Sequence, residues 1–594
     1  MFCQLFSPQN KSFLCLKHVE NKGFQTVIKH RLKAIQKPIK NELGNRKKNT
    51  KNAHFVLKKC TFRFRDYSMN NFSISKFDIA IVIVYLAIII WWALKNSKST
   101  DSQSYFLAGR SMPWWVVGLS LFAASISSTT LIGQSGDAYH TGLAVFNYNL
   151  AGGILVMVFF SLFLLPLYIK SKIFTIPEFL EKRFDSRSRY FFSGICIIGN
   201  VFLDAAGALY AAALIIKLVV PDADLHLIIV IFALICASYT IPGGLSSAIN
   251  AEFVQAVILI LGSCMLAFFC FQQGGDYFVQ LWKDNDLLVG LIRPMDDVAT
   301  PWLGLIVGMP ITGLYFWANN QTLVQRVLSS KTIDEGRKGV IFAGFLTLLT
   351  LFIIAIPGVI ARYLFPGLDK PDMVYPNMVM QLIPTGLLGI MLAALLSALT
   401  STLSAILNST STLFTMDFYS KFNPQASSKQ LVIVGKITSC IIIIIAALWA
   451  PQIGKFGSLL KYYQEMLSYM APPIVATFLL GIFSRRVNGQ GAFLGLLAGL
   501  LIGVCAYLFK QQLFGNLHFL LIVPFLFVGS AIVTYACSLF FAPPKEEKLE
   551  TTTFKWHDTK EEIHRAYTMP WYKNYFIYAQ LLVIGCIITY VVFA

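Results

Sequence analysis

The sequence predicts an all-α polytopic membrane protein, and three observations carry that prediction. Of 594 residues, 56% are apolar and only 13% charged, about half the ~25% charge of an ordinary soluble domain. The mean hydropathy is +0.62. Apolar runs of bilayer-crossing length, about 20 residues as a helix, recur along the chain. So few charges cannot clothe several soluble domains, and the composition also excludes disorder, a collagen-like repeat and a disulfide scaffold. Helices follow because an unpaired amide in hydrocarbon costs several kcal/mol and strand alternation of barrel length is absent.

The first element, residues 1–68, is a basic extension. Its 16 Lys/Arg against Glu20, Glu42 and Asp66 supply most of the net charge of +19. A basic tail can bind anionic lipid or nucleic acid, but no aromatic platform or zinc spacing accompanies it. The expectation is a disordered tail, or a start at Met69, with no nucleic-acid partner. Cys196, Cys236, Cys264, Cys270, Cys440, Cys505, Cys537 and Cys586 lie inside apolar runs without a CxxC pair, as small buried hydrophobes do.

Fourteen apolar runs follow: 77–95, 114–138, 143–170, 190–217, 226–242, 249–273, 302–323, 337–365, 377–417, 430–450, 456–484, 489–510, 515–542 and 572–593. The first lacks a small-residue cleavage site and reads as an anchor, not a signal peptide. Loops after runs one, three, seven, eleven and thirteen are basic: Lys98 and Arg110, Lys170 to Arg189, Arg326 to Lys338, Arg485 and Arg486, Lys545 to Arg565. The loops after runs four, six and eight carry Asp222, Asp224, Asp276, Asp284, Asp286, Asp296, Asp369 and Asp372. The positive-inside rule makes the basic loops cytoplasmic and leaves both termini outside.

Two runs read as interrupted helices. Run two contains Ser-Ile-Ser-Ser-Thr-Thr at 125–130, then Gly133 and Gly136; run seven contains Gly308, Pro310, Thr312 and Gly313. They lie five runs apart, at matching places in two groups of five, the pattern of a secondary transporter built from inverted repeats. Kinked or close-packed helices would also use such residues. Run nine adds polar side chains at 397, 401, 404, 408 and 411, one stripe on a helix. That stripe could join helices, or supply oxygen ligands to an ion opposite unwound run two.

With these motifs the sequence resembles the solute:sodium symporter family, most closely its sodium/galactose and sodium/glucose branch. The resemblance rests on Tyr105-Phe-Leu-Ala-Gly-Arg110, Pro113-Trp114-Trp115, Thr175-Ile-Pro-Glu-Phe179, Lys182-Arg183-Phe184, Gly243-Gly244-Leu245, Gln325-Arg326 and Asn408 through Asp417. It implies a five-plus-five inverted-repeat transporter core at 114–485, preceded by one helix and loop (69–113) and followed by three helices (486–594). It also implies Na⁺ as coupling ion, held by the carbonyls of Ala123, Ile126 and Ala398 and the hydroxyls of Ser401 and Thr402. A second ion site in some members would fall on Glu252, in place of the usual Asp, and on Ser404. Ala405 lacks the further hydroxyl, so one Na⁺ per cycle is expected.

At the branch's sugar-binding positions the chain carries Asn149, Gly313, Phe316, Thr347 and Gln464, and only the glutamine is kept. The remaining solute positions implied are Ser127, Thr129, Thr130, Tyr148 and Trp317. Neutral hydroxyl and amide groups with aromatic faces suit a sugar or polyol. Asp204, an acid at membrane depth within run four, is a functional candidate by default and joins the solute set; it could instead hold a small amine or amino acid, or be a structural acid. The expected protein is a sodium-coupled symporter in a lipid bilayer, the plasma membrane or a bacterial inner membrane, read as monomeric. A non-transporting solute sensor is the other reading. An enzyme is not expected, since HExxH, GxSxG, an acidic metal cluster and a phosphate loop are all missing from the sequence.

Overall fold

The computed structural model describes residues 75–95, 101–127, 129–219, 222–297, 300–368, 370–453 and 459–594. The basic extension 1–68 and Met69 lie outside the described residues. The described residues are helical, with only the isolated bridges Met112–Ser330 and Arg293–Pro301. In order, α1 is Lys76–Lys95, α2 Trp114–Ser125, α3 129–141, α4 142–170, α5 Ser186–Lys217, α6 225–243 and α7 245–283. They are followed by α8 at 302–319, α9 Ile333–Leu364, α10 Leu388–Phe422, α11 Ser428–Ile453, α12 Tyr463–Phe483, α13 Gly489–Leu508, α14 Phe519–Leu539 and α15 Tyr575–Val592.

Eleven helical stretches among the described residues are long and apolar enough to cross a membrane, against fourteen apolar runs. Each difference has a local cause. α3 continues into α4 through Gly142 (φ 81°). α6 and α7 form one 59-residue stretch bent at Pro242–Gly244. Run seven is built of helices too short to span separately. The bend at Gly244 requires glycine: φ is +60°, and a Cβ there would lie 2.6 Å from the Tyr105 carbonyl oxygen. Tyr105 also donates its hydroxyl to the Ile241 carbonyl at 2.9 Å, so the short helix Ser102–Leu107 seals the bend.

Both interrupted runs are broken, one of them elsewhere than expected. α2 ends at Ser125, and Ile126 (φ −84°, ψ 83°) leaves the helix. The Ser125 hydroxyl folds back onto the Phe122 carbonyl at 2.8 Å and Thr130 donates to the Ser125 carbonyl at 3.1 Å, local side-chain bonds that compete with helix. Run seven passes through Gly308 in helical geometry and breaks at Asn320 (φ −75°, ψ 118°). Asn320 then caps the helix Gln321–Leu328 by accepting from the Thr322 amide at 2.8 Å. Its glycines serve close approach instead: a Cβ on Gly313 would stand 1.9 Å from the Gly152 carbonyl oxygen on α4.

α10 is the buried centre, packed on α1, α2, α6, α7 and α11. Asp78 of α1 accepts from the Gly389 amide at 2.7 Å at the start of α10, and Ser397 donates to Tyr85 at 2.6 Å. α12, α13 and α14 pack as a trio. Their contact is a stripe of Gly491, Gly495, Gly499 and Gly503 against Ser538, Thr534, Ser530 and Tyr469, small residues four apart that let backbones approach.

Candidate functional site

The break after α2 faces the middle of α10. There the buried Ser401 hydroxyl lies 2.9 Å from the Ala123 carbonyl across the helix pair and 2.9 Å from the Ala398 carbonyl of its own helix, and its single proton is shared between them. Thr402 donates to the same Ala398 carbonyl at 3.0 Å. Four of the five residues expected at a sodium site are thus joined by hydrogen bonds, and Ile126, the fifth, is the first residue beyond the end of α2. Hydroxyl protons rotate, so the oxygens now donating to carbonyls can turn their lone pairs to a cation. Neutral oxygens suit a hard monovalent ion. Among the described residues, no cluster of His, Cys, Asp and Glu could hold a metal ion.

Beside this cluster lies a cavity of about 140 Å³ bounded by the α2 break, α4, α5, α8, α9, α10 and the start of α12. Ser127, Thr130, Tyr148, Asn149, Asp204, Phe316, Trp317, Thr347 and Gln464 all line it, as do Ile126 and Thr402. The side chain of Thr129 lies outside the described residues. Asn149 donates to Thr350 at 3.0 Å and Gln134 at 3.3 Å, which orients its amide. Phe316 and Trp317 meet edge to face with ring centroids 5.1 Å apart, forming an apolar wall. The Tyr463 hydroxyl lies within hydrogen-bonding reach of the Asp204 carboxylate.

Glu252 and Ser404, expected as a possible second ion site, share no hydrogen bond. Glu252 is fully buried and receives Arg326 at 2.5 and 3.1 Å, with a further bond from Ser120. Ser404 accepts from Thr240 at 2.8 Å. The Glu252 carboxylate is thus already ion-paired with Arg326.

The remaining buried charges tie loops to the bundle. Asp417 takes Arg189 at 2.6 Å, Ser193 at 2.5 Å and Thr175 at 2.6 Å. Arg183 is spent on the carbonyls of Gly481, Ser484 and Val487. Glu562 binds Arg337 and Lys170. Burial raises its pKa, but those two cations outweigh it and hold the carboxyl below its ordinary value.

Sequence reasoning missed Gln134, Thr312, Asn320, Thr322 and Tyr463, which also line the cavity. Asn320 and Thr322 had a signal, an N-cap pair Asn-x-Thr at the end of an apolar run. Gln134 lies one turn beyond the Ser/Thr cluster, and Tyr463 precedes Gln464 in sequence. Their convergence depends on helices distant along the chain.

Comparison with known proteins agrees with this layout. The model of the sodium:solute symporter family matches residues 105–499. Sodium/glucose cotransporter 1 of Ovis aries is 33% identical over 544 residues, covering 82% of each chain. Sodium/myo-inositol cotransporter 2 of Homo sapiens is 33% identical over 537 residues, 81% of this chain and 79% of that one. The substrate-bound, outward-open structure of a Na⁺-coupled sialic acid symporter shares the fold, with TM-score 0.70 and 23% identity, covering 79% of this chain and 99% of that one. A multi-pass helical bundle with a broken second run facing a hydroxylated central helix, matched to these relatives over most of its length, belongs to the sodium:solute symporter family and is a Na⁺-coupled symporter.

Proposed function

We propose that this symporter imports a small, uncharged, polyhydroxylated solute, a sugar or polyol, together with Na⁺. The observation that carries the reading is the cavity itself: hydroxyls and amides of Ser127, Thr130, Asn149, Thr347 and Gln464 surround an aromatic wall of Tyr148, Phe316 and Trp317. Such groups bond a polyol at its edges and cover its apolar face. Relatives named for glucose and myo-inositol support the same class.

In this reading Na⁺ enters from outside and sits among Ala123, Ile126, Ala398, Ser401 and Thr402, between the broken and central helices. The inverted-repeat core is residues 114–485, both termini face outward, and the membrane is the plasma membrane. Because Thr402 and Ile126 border both the ion cluster and the cavity, ion and solute favour one outward-open arrangement together. Linkage then makes Na⁺ tighten solute by the factor that solute tightens Na⁺. A charge entering a negative-inside cell gains about 2.3 kcal/mol per 100 mV, which drives uptake.

The test is uptake of radiolabelled hexoses, amino sugars and inositol into proteoliposomes with an inward Na⁺ gradient and a K⁺ control. Na⁺-dependent accumulation of a neutral sugar or inositol is the expected result. Accumulation of amino sugars alone would shift the assignment to a cationic solute held by Asp204. Saturable binding without accumulation would mark a sensor.

A further inference from the structure

Several buried charges of the bundle meet an opposite charge. Arg189 meets Asp417, Arg326 meets Glu252, Arg337 meets Glu562 and Lys510 meets Glu465. Asp204 has no such partner: among the described residues no lysine, arginine or histidine pairs with it, and none lines the cavity it borders. It sits in a widened π-type turn, Asn200–Ala205, geometry that recurs at functional sites. Asn200, in the same turn, donates to Ser409 and Thr410 of α10 at 3.2 and 3.0 Å. That anchors the turn and fixes where Asp204 points. Tyr463, beside Gln464 on α12, lines the same cavity as the Asp204 carboxyl.

Resting on the polyol reading above, we infer that Asp204, positioned by Tyr463, is a charge filter that sets which sugars the site accepts. In either protonation state the cavity presents acceptor oxygens or a neutral acid, and no positive charge. A hydroxyl or an ammonium group finds a partner in Asp204. A carboxylate finds no cationic side chain there: an ionised Asp204 repels it, and neutral donors alone leave its charge unbalanced in a low-dielectric pocket. Specificity here comes from what the site repels as much as from what it binds. Sialic acid, the solute named for the structural neighbour, carries such a carboxylate. The inference therefore separates this chain from that neighbour on chemistry.

The test is competition in the proteoliposome assay. Whichever of labelled glucose or myo-inositol accumulates serves as reference, and unlabelled glucuronate and glucosamine serve as competitors. Wild-type protein should accept glucosamine and resist glucuronate by at least about tenfold relative to a neutral hexose. Asp204→Asn should narrow the gap between the two competitors, measured as a ratio within the variant so that altered expression cancels. Tyr463→Phe should move the ratio the same way by less. Glucuronate competing as well as a neutral hexose in wild type would overturn the filter without any variant. So would an unchanged ratio in Asp204→Asn. If wild type accumulates no neutral sugar or polyol, the underlying solute reading fails and the filter fails with it, a result distinct from either of the others.

Discussion

Ser401 and Thr402 make the sodium assignment testable because their hydroxyls have the same expected ionic role and different structural ones. Ser401 is fully buried and is the side-chain donor to the Ala123 carbonyl across the helix pair. Removing its hydroxyl leaves that carbonyl short of a donor, a loss of about 1–3 kcal/mol of stability. Thr402 donates only to the Ala398 carbonyl, which lies inside the α10 helical ladder, so Thr402→Val keeps the volume and leaves no buried carbonyl without a donor. If both hydroxyls face the ion, each is worth about 1.5–3 kcal/mol, the range for a dipole bonded to a charged group. At 1.4 kcal/mol per tenfold, that is a roughly 10- to 150-fold rise in half-saturating Na⁺. The assay is Na⁺-dependent solute uptake, paired with thermal unfolding in detergent in Na⁺ and in K⁺. Thr402→Val should unfold like wild type in K⁺ yet lose most of the stabilisation by Na⁺; Ser401→Ala should lose both. Unchanged half-saturating Na⁺ in both folded variants would refute the site.

Three further outcomes follow from packing and charge. Arg326→Met leaves Glu252 buried without its cation and should cost about 3–5 kcal/mol in thermal unfolding, much of it recovered in the double variant with Glu252→Leu. Gly313→Ala drives a Cβ to 1.9 Å from the Gly152 oxygen and should lower stability by about 1–3 kcal/mol or more and reduce uptake; Gly529→Ala, where a Cβ meets nothing within 4 Å, is the control for both readouts. The lowered pKa of Glu562 means that its pairing with Arg337 and Lys170 stabilises above the ordinary glutamate pKa and is lost as pH falls through the lower folded value. Glu562→Gln should therefore lower the melting temperature at pH 7 and close the gap to wild type under acid conditions.

Much of the bundle was legible in sequence because the solvent dictates it. Spans in lipid must be apolar for about 20 residues and internally hydrogen-bonded, so composition and run length expose them directly. The break in run two was visible for a local reason, since Ser and Thr at 125–130 offer the backbone other partners. The break in run seven was misplaced for a local reason too. Gly308 and Pro310 look like helix breakers, but Pro310 falls in the first turn of its helix, where a missing amide donor costs nothing. Asn320, an ordinary capping residue, marks the break. The glycine stripe of α13 was present at every fourth residue from 491 to 503 and passed as generic apolar helix, because its meaning lies in Thr534 and its neighbours on α14.

The sequence by itself determined the solvent, the helical class, the number of apolar runs, the hydroxylated stripe on α10 and, through the resemblance carried by its motifs, the family. These are local or periodic properties, set within one helix by its own side chains. Only the tertiary structure decided which polar groups meet: that Ser401 bonds Ala123 across 278 residues of chain, that Glu252 is matched to Arg326, and that Asp204 shares a cavity with Tyr463 and no cation. Such pairings join residues far apart in sequence, and their energy depends on burial and on what else reaches the same atoms.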